Sequence, residues 1–181
     1  SVLFRMLYVY SDGSQKDYQM APFRTMTGVE AFQASLTWKI HGCYVVRNSI
    51  HMAYPYDESQ RAYSDDNTTR IHYYSRKVAY CEGIYYYRQQ VASVTHKVSV
   101  RRFDFLLANE SMRRQLIALG ASEENLRCFE TVRWLNLVGV YMFYYLHRNE
   151  LSDADRQQGL SIMHHVWHTI NIKQVSRSIR C

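Results

Sequence analysis

The chain has 181 residues, of which 47% are hydrophobic, 14% aromatic and 21% charged, enough to bury a core as one domain without disulfides or a metal. Two prolines and seven glycines exclude collagen-like and low-complexity classes, and no run of 18 apolar residues offers a membrane-spanning helix. The net charge of +6 suits an anionic partner, whether nucleotide phosphate, nucleic acid or a lipid surface, and does not choose among them.

Residues 1–10 are β-branched and aromatic and read as a buried strand. Turn residues 11–15 follow, with Gly13 able to take positive φ, and the segment YQMAPF reads as a return strand ended by Pro22. Thr27 with Glu30 three residues on is a capping box. Val29, Phe32, Leu36 and Ile40 fall three or four apart, which predicts a helix over 28–39. Residues 41–50 are short and β-rich. Residues 51–66, a stretch of about sixteen, have no period, and such long loops are often functional. Ser64 or Asp65 is placed to cap a short helix to about Ser75, with Ile71 and Tyr74 inside.

Residues 77–82 and 84–89 read as two strands around Gly83. Ser99 is expected to cap a helix to Leu119, which Gly120 stops. Ser122 caps the next, over 123–147, and Ser152 with Asp155 a third, over 153–171. The last ten residues are expected to fray. The layout changes near residue 98. The fold class is therefore α+β: a small partial sheet with flanking helices over 1–98, then a three-helix unit over 99–181.

The chemistry-bearing candidates are few. Asp65 and Asp66 close the long loop and open a helix, whose positive end favours ionised carboxylates. A carboxylate there can accept a proton from a substrate hydroxyl, and the same pair also suits plain N-capping. Tyr85-Tyr86-Tyr87-Arg88 ends a strand, where an Arg can hold phosphate or carboxylate oxygens, or simply lie in solvent. Ser93, Thr95 and His96 add hydrogen-bonding groups on the next loop. His164 and His168 lie one turn apart on a helix face, a spacing that can bind zinc, but no Glu completes an HExxH pattern. Solvated histidines are the plain alternative. Asp12-Gly13-Ser14 is read as a hairpin turn. Basic residues are scattered rather than striped, so nucleic acid is not expected as a partner. Cys43, Cys81, Cys128 and Cys181 are far apart without a CxxC pair, and a reducing compartment is the default. No signal-peptide pattern precedes Val2-Leu3-Phe4, and the opening reads as a chain cut inside a larger protein.

Taken in order, the hairpin, TGVEAFQASL, CYVVRNSI, AYPYDESQRAYSDDNTT and KVAYCEGIYYYRQQVASVTH resemble the second half of a bacterial family 2 glycosyltransferase of the GT-A fold. Tyr54-Pro55, Asp65-Asp66, Lys77-Val78, Tyr85 to Arg88 and Ser93 to Thr95 carry the likeness, over roughly 1–98. The resemblance implies sugar transfer from a nucleotide-sugar donor to a glycan or lipid-linked acceptor hydroxyl, in cell-surface polysaccharide synthesis at the cytoplasmic side of the membrane, with peripheral contact to it. Asp66 matches the general base of inverting members, and Asp65 stands where the family often has Glu. Arg88, Ser93 and Thr95 match the region that meets the donor diphosphate or closes over the acceptor, with His96 beside them. The family's nucleotide-binding βαβ unit and DxD motif belong to its first half and do not occur within residues 1–98, which carry the likeness. The divalent metal (Mg or Mn) implied for the whole enzyme is thus not expected in this chain, which is expected to be inactive alone. The sheet edge left by the missing half predicts self-association. The alternative is a helical protein-interaction module without catalysis.

Overall fold

The computed structural model describes residues 1–56, 63–89 and 98–179. The architecture is α+β, with a five-stranded sheet and six α-helices among the described residues. None of these helices is long and apolar enough to cross a membrane. The chain forms two compact units, Ser1–Tyr56 with Thr68–Lys97, and Asp57–Asn67 with Val98–Cys181.

In the first unit, β1 (Val2–Val9) is the axis of the sheet. β2 (Gln15–Asp17) pairs antiparallel with it, Leu7 opposite Asp17 and Val9 opposite Gln15. The expected hairpin forms, but the return strand starts and stops earlier than YQMAPF. The turn is tight: Gly13 takes φ +81, and Asp12 Oδ1 accepts from Ser14 N at 2.9 Å and Ser14 Oγ at 2.6 Å. After Asp17 the strand breaks because Gln19 takes φ +58, with its N–H on Asp17 Oδ1.

β3 (Thr25–Met26) leads into α1 (Gly28–Leu36). The capping box is present: Glu30 N donates to Thr27 Oγ1, and Thr27 N donates to Glu30 Oε2. The helix ends sooner than residue 39, since Trp38 takes φ +57. Of the β-rich segment 41–50 only β4 (Tyr44–Val45) is strand, antiparallel to the start of β1. The rest turns into α2 (Asn48–Ala53), held by the buried Ile50. A six-residue helix shows too little periodicity to be read from sequence.

After α3 (Ser64–Tyr74) comes β5 (Val78–Arg88), one strand rather than two. It runs parallel to β1 and antiparallel to β3, giving the order β2-β1-β5-β3. The register moves from Leu3 opposite Tyr80 to Arg5 opposite Ile84. Gly83 lies in that bulge, where a Cβ would meet the Phe4 ring at 3.2 Å. The glycine therefore permits a bulge instead of ending a strand. Leu3, Ala31, Ile40, Tyr73 and Val78 form the core beneath.

The two partners of His41 select the tautomer of its neutral ring with the proton on Nε2. Its Nε2 donates to Phe4 O at 2.7 Å, and its Nδ1 accepts from Cys43 N at 3.1 Å. A proton on Nδ1 would face the Cys43 N–H. Burial lowers the pKa of His41, and the bond to Phe4 O opposes this only in part. Burial likewise lowers that of His72, but Tyr44 OH on His72 Nδ1 can turn from donor to acceptor. The unfolded chain thus binds protons near pH 6.5 that the folded chain refuses. Stability is expected to be full above about pH 7 and to fall as pH drops below about 6.5, before carboxylates titrate. Urea melts at pH 7.5 and 5.0 check this, and unchanged stability between them would refute it.

The second unit holds α4 (Asp104–Ala118), α5 (Glu123–His147) and α6 (Asp153–Thr169). Ser122 Oγ accepts from Asn125 N and Ser152 Oγ from Asp155 N, so both caps are as expected. Gly120 takes φ +67 after α4, the left-handed stop that glycine allows. Ser99 caps nothing with its side chain: a 3-10 turn over Val100–Phe103 intervenes before α4. Phe103, Leu106, Leu137, Val140, Leu151, Met163 and Val166 build the core. The tail does not simply fray. Val175 is buried, and Ser176 N donates to Thr131 Oγ1 at 3.0 Å.

Candidate active site

The acidic pair sits in the first turn of α3. Ser64 and Asp65 are inside the helix, not at its cap, because Tyr63 just before takes φ +70 and the helix begins at once. The turn is anchored by its neighbours within the second unit. Asn67 Nδ2 donates to Ala108 O at 2.7 Å, and Asn67 is buried. The Tyr63 ring packs on Phe105 at 5.1 Å, and Arg102 Nη1 donates to its hydroxyl at 3.3 Å. Arg102 also lies over both rings. This support fixes where the helix starts, and with it the two carboxylates.

Asp65 is exposed and Asp66 half-buried. Both carboxylates stand at the N-terminal end of α3, the positive pole of the helix dipole. An ionised, partly shielded carboxylate on a rigid turn can take a proton from a hydroxyl brought to it. Beside the pair, Asn67 Oδ1 is buried without a partner among the described residues. A buried acceptor of this kind is uncommon and suits a water or a donor group.

Arg88 is the last residue of β5, exposed, opposite Val9 of β1. Tyr85, Tyr86 and Tyr87 before it are exposed too. Arg88 belongs to the first unit and the acidic pair to the second. Ser93, Thr95 and His96 lie outside the described residues.

One cluster escaped sequence reading. Arg47, Arg76 and Lys77 line a pocket of about 610 Å³ with Val45, Val46 and Ile50, and no carboxylate lines it. The sheet gathers them. β4 ends and β5 starts beside Val2, so the residues flanking those strands meet there. Only the register, which sequence spacing does not carry, brings them together. Such a pocket favours an anion.

Among the described residues no three metal-ligating side chains come together, and the one DxD string in the sequence, Asp153-Ala154-Asp155, lies in the first turn of α6 behind the Ser152 cap. No protein-family model, curated protein or solved structure matches the chain.

Proposed function

We propose that this chain is the acceptor-side part of an inverting glycosyltransferase that uses a nucleotide-sugar donor, with Asp66 as general base. The observation that carries the reading is the acidic pair in the first turn of α3, followed directly by a strand that ends in Tyr85-Tyr86-Tyr87-Arg88. In the proposed step, the Asp66 carboxylate takes the proton of an acceptor hydroxyl. The oxygen attacks the anomeric carbon, the bond to the donor phosphate breaks, and the nucleoside diphosphate leaves with that electron pair. Asp65, one residue earlier in the same turn, is proposed to act with it. Arg88, Ser93, Thr95 and His96 are proposed to face the donor diphosphate or the acceptor. The anion-favouring pocket at Arg47, Arg76 and Lys77 supports phosphate chemistry in the same chain. The setting proposed is the cytoplasmic side of a bacterial membrane, in polysaccharide synthesis.

The test starts upstream of Ser1. The coding region there is expected to specify a nucleotide-binding βαβ unit and a DxD. A start codon beside Ser1 would overturn the reading. With the gene-length protein, release of nucleoside diphosphate from UDP- and GDP-hexoses is measured. Asp66→Asn is expected to lower turnover about 10²- to 10⁴-fold, the usual share of a general base, while donor affinity stays near its original value. Unchanged turnover would remove Asp66 from the role.

One observation favours a second reading, an interaction module without catalysis. Val138, Tyr141, Leu160 and Trp167 are exposed along α5 and α6 and line one apolar groove. Under that reading Asp66→Asn alters nothing measurable.

A further inference from the structure

Helix α6 carries His164 and His168 four residues apart, so both rings rise from one face. Both side chains are exposed. Their Nε2 atoms lie 3.2 Å apart, with ring centroids at 4.5 Å and planes inclined by 67°. His165 between them is committed elsewhere: its Nε2 meets Glu110 Oε2 at 3.1 Å.

Two neutral imidazoles can settle this convergence with one N–H···N bond. They can also turn both lone pairs on a single point. An ion at the usual ~2.0–2.1 Å from each nitrogen would see the pair at an angle of about 100°. That lies between the octahedral and the tetrahedral angle, so neither ring has to move far. A rigid helix backbone holds the spacing, and little side-chain freedom is lost on binding.

We propose that His164 and His168 form a bidentate site for a divalent transition-metal ion of the nickel, copper and zinc class. Imidazole is a preferred ligand of these ions, and carboxylate-loving magnesium or calcium would be refused. No carboxylate or thiolate completes a cluster of three among the described residues. Affinity therefore rests on the two-point chelate, and at least two coordination positions stay open to water or to an incoming donor. His164 also lines the apolar groove with Trp134, Tyr141 and Trp167. The indoles of Trp134 and Trp167 lie 5.4 Å apart, so a bound ion is placed beside two fluorophores. The site is independent of Asp66 and of the sugar-transfer reading.

The experiment is a titration of the chain with NiCl₂, read by tryptophan fluorescence. The expected result is saturable quenching at one equivalent, reversed by EDTA. It should vanish in His164→Ala and in His168→Ala and persist in His165→Ala. Magnesium chloride should quench nothing. The two positions are exposed, so helix content by circular dichroism should hold. If either alanine variant loses helix, the glutamine variants, with good helix propensity, replace them. Quenching that never saturates, or that survives loss of either histidine, would overturn the site.

Discussion

Glu130→Ala is expected to cost about 3–5 kcal/mol of unfolding free energy, the usual penalty for stranding a buried charge. Glu130 and Arg133, one turn apart on α5, are 0% and 1% exposed. Arg133 Nη1 donates to both Glu130 carboxylate oxygens, at 3.0 and 2.9 Å. Arg113 Nε reaches Oε2 at 3.1 Å, and Asn171 N reaches Oε1 at 2.6 Å. Arg133 Nη2 goes on to Thr169 Oγ1 at 2.7 Å. One carboxylate thus ties α4, α5 and the segment after α6. Without it, Arg133 keeps its charge in a site closed to water, and the Asn171 N–H loses its acceptor. Arg113 is partly exposed and can turn to solvent. The double variant Glu130→Met with Arg133→Leu should lose much less, since the two desolvation costs leave together. Urea denaturation followed by circular dichroism measures both. A loss under 1 kcal/mol for Glu130→Ala would mean that solvent reaches Arg133.

Gly28→Ala is expected to destabilise by about 2–3 kcal/mol. A Cβ at Gly28 would run into the carbonyl oxygens of Tyr74 and Arg76, with the Tyr74 carbonyl carbon at 2.8 Å. These are backbone atoms at the end of α3, and they cannot swing aside as a side chain does. Overpacking of this kind costs up to about 3 kcal/mol, and better helix propensity returns at most about 1 kcal/mol. Gly139→Ala is the matched control. Gly139 lies inside α5, and a Cβ there meets nothing within 4 Å. That change should stabilise by about 0.5–1 kcal/mol. The two substitutions are chemically identical, so opposite signs would trace the effect to the space at each position. If Gly28→Ala also stabilises, α1 and the end of α3 are less closely packed than described.

What sequence reading delivered depended on how local the signal was. The caps at Thr27, Ser122 and Ser152 rest on hydrogen bonds spanning three residues, and each helix starts where its cap predicts. Gly120 stops α4 for the same local reason. Misreadings arose where distant partners decide. Gly83 looked like a break between strands, yet pairing with β1 carries β5 through it as a bulge. Segment 41–50 has strand composition, but only two residues find a place beside β1. Asp65 and Asp66 were recognisable as the opening of a helix. That they sit inside its first turn follows from Tyr63 and its packing on Phe105. The cationic pocket was not legible, because Arg47 and Arg76 meet only through the sheet register.

The pairing of β1 with β5 also sets an order of events during synthesis. The Ser1 backbone nitrogen donates to Lys77 O, 76 residues further along the chain. At ribosomal speeds of about 5–20 residues per second, roughly 4–15 seconds pass between making the two partners. The hairpin with β2 can close early on one edge of β1, while the other edge waits with its N–H and C=O groups unpaired. A nascent strand in that state is a template for neighbouring chains on a crowded polysome. Arg5 lies in the middle of β1, exposed and paired with Asp17, where a charge discourages such association until β5 arrives.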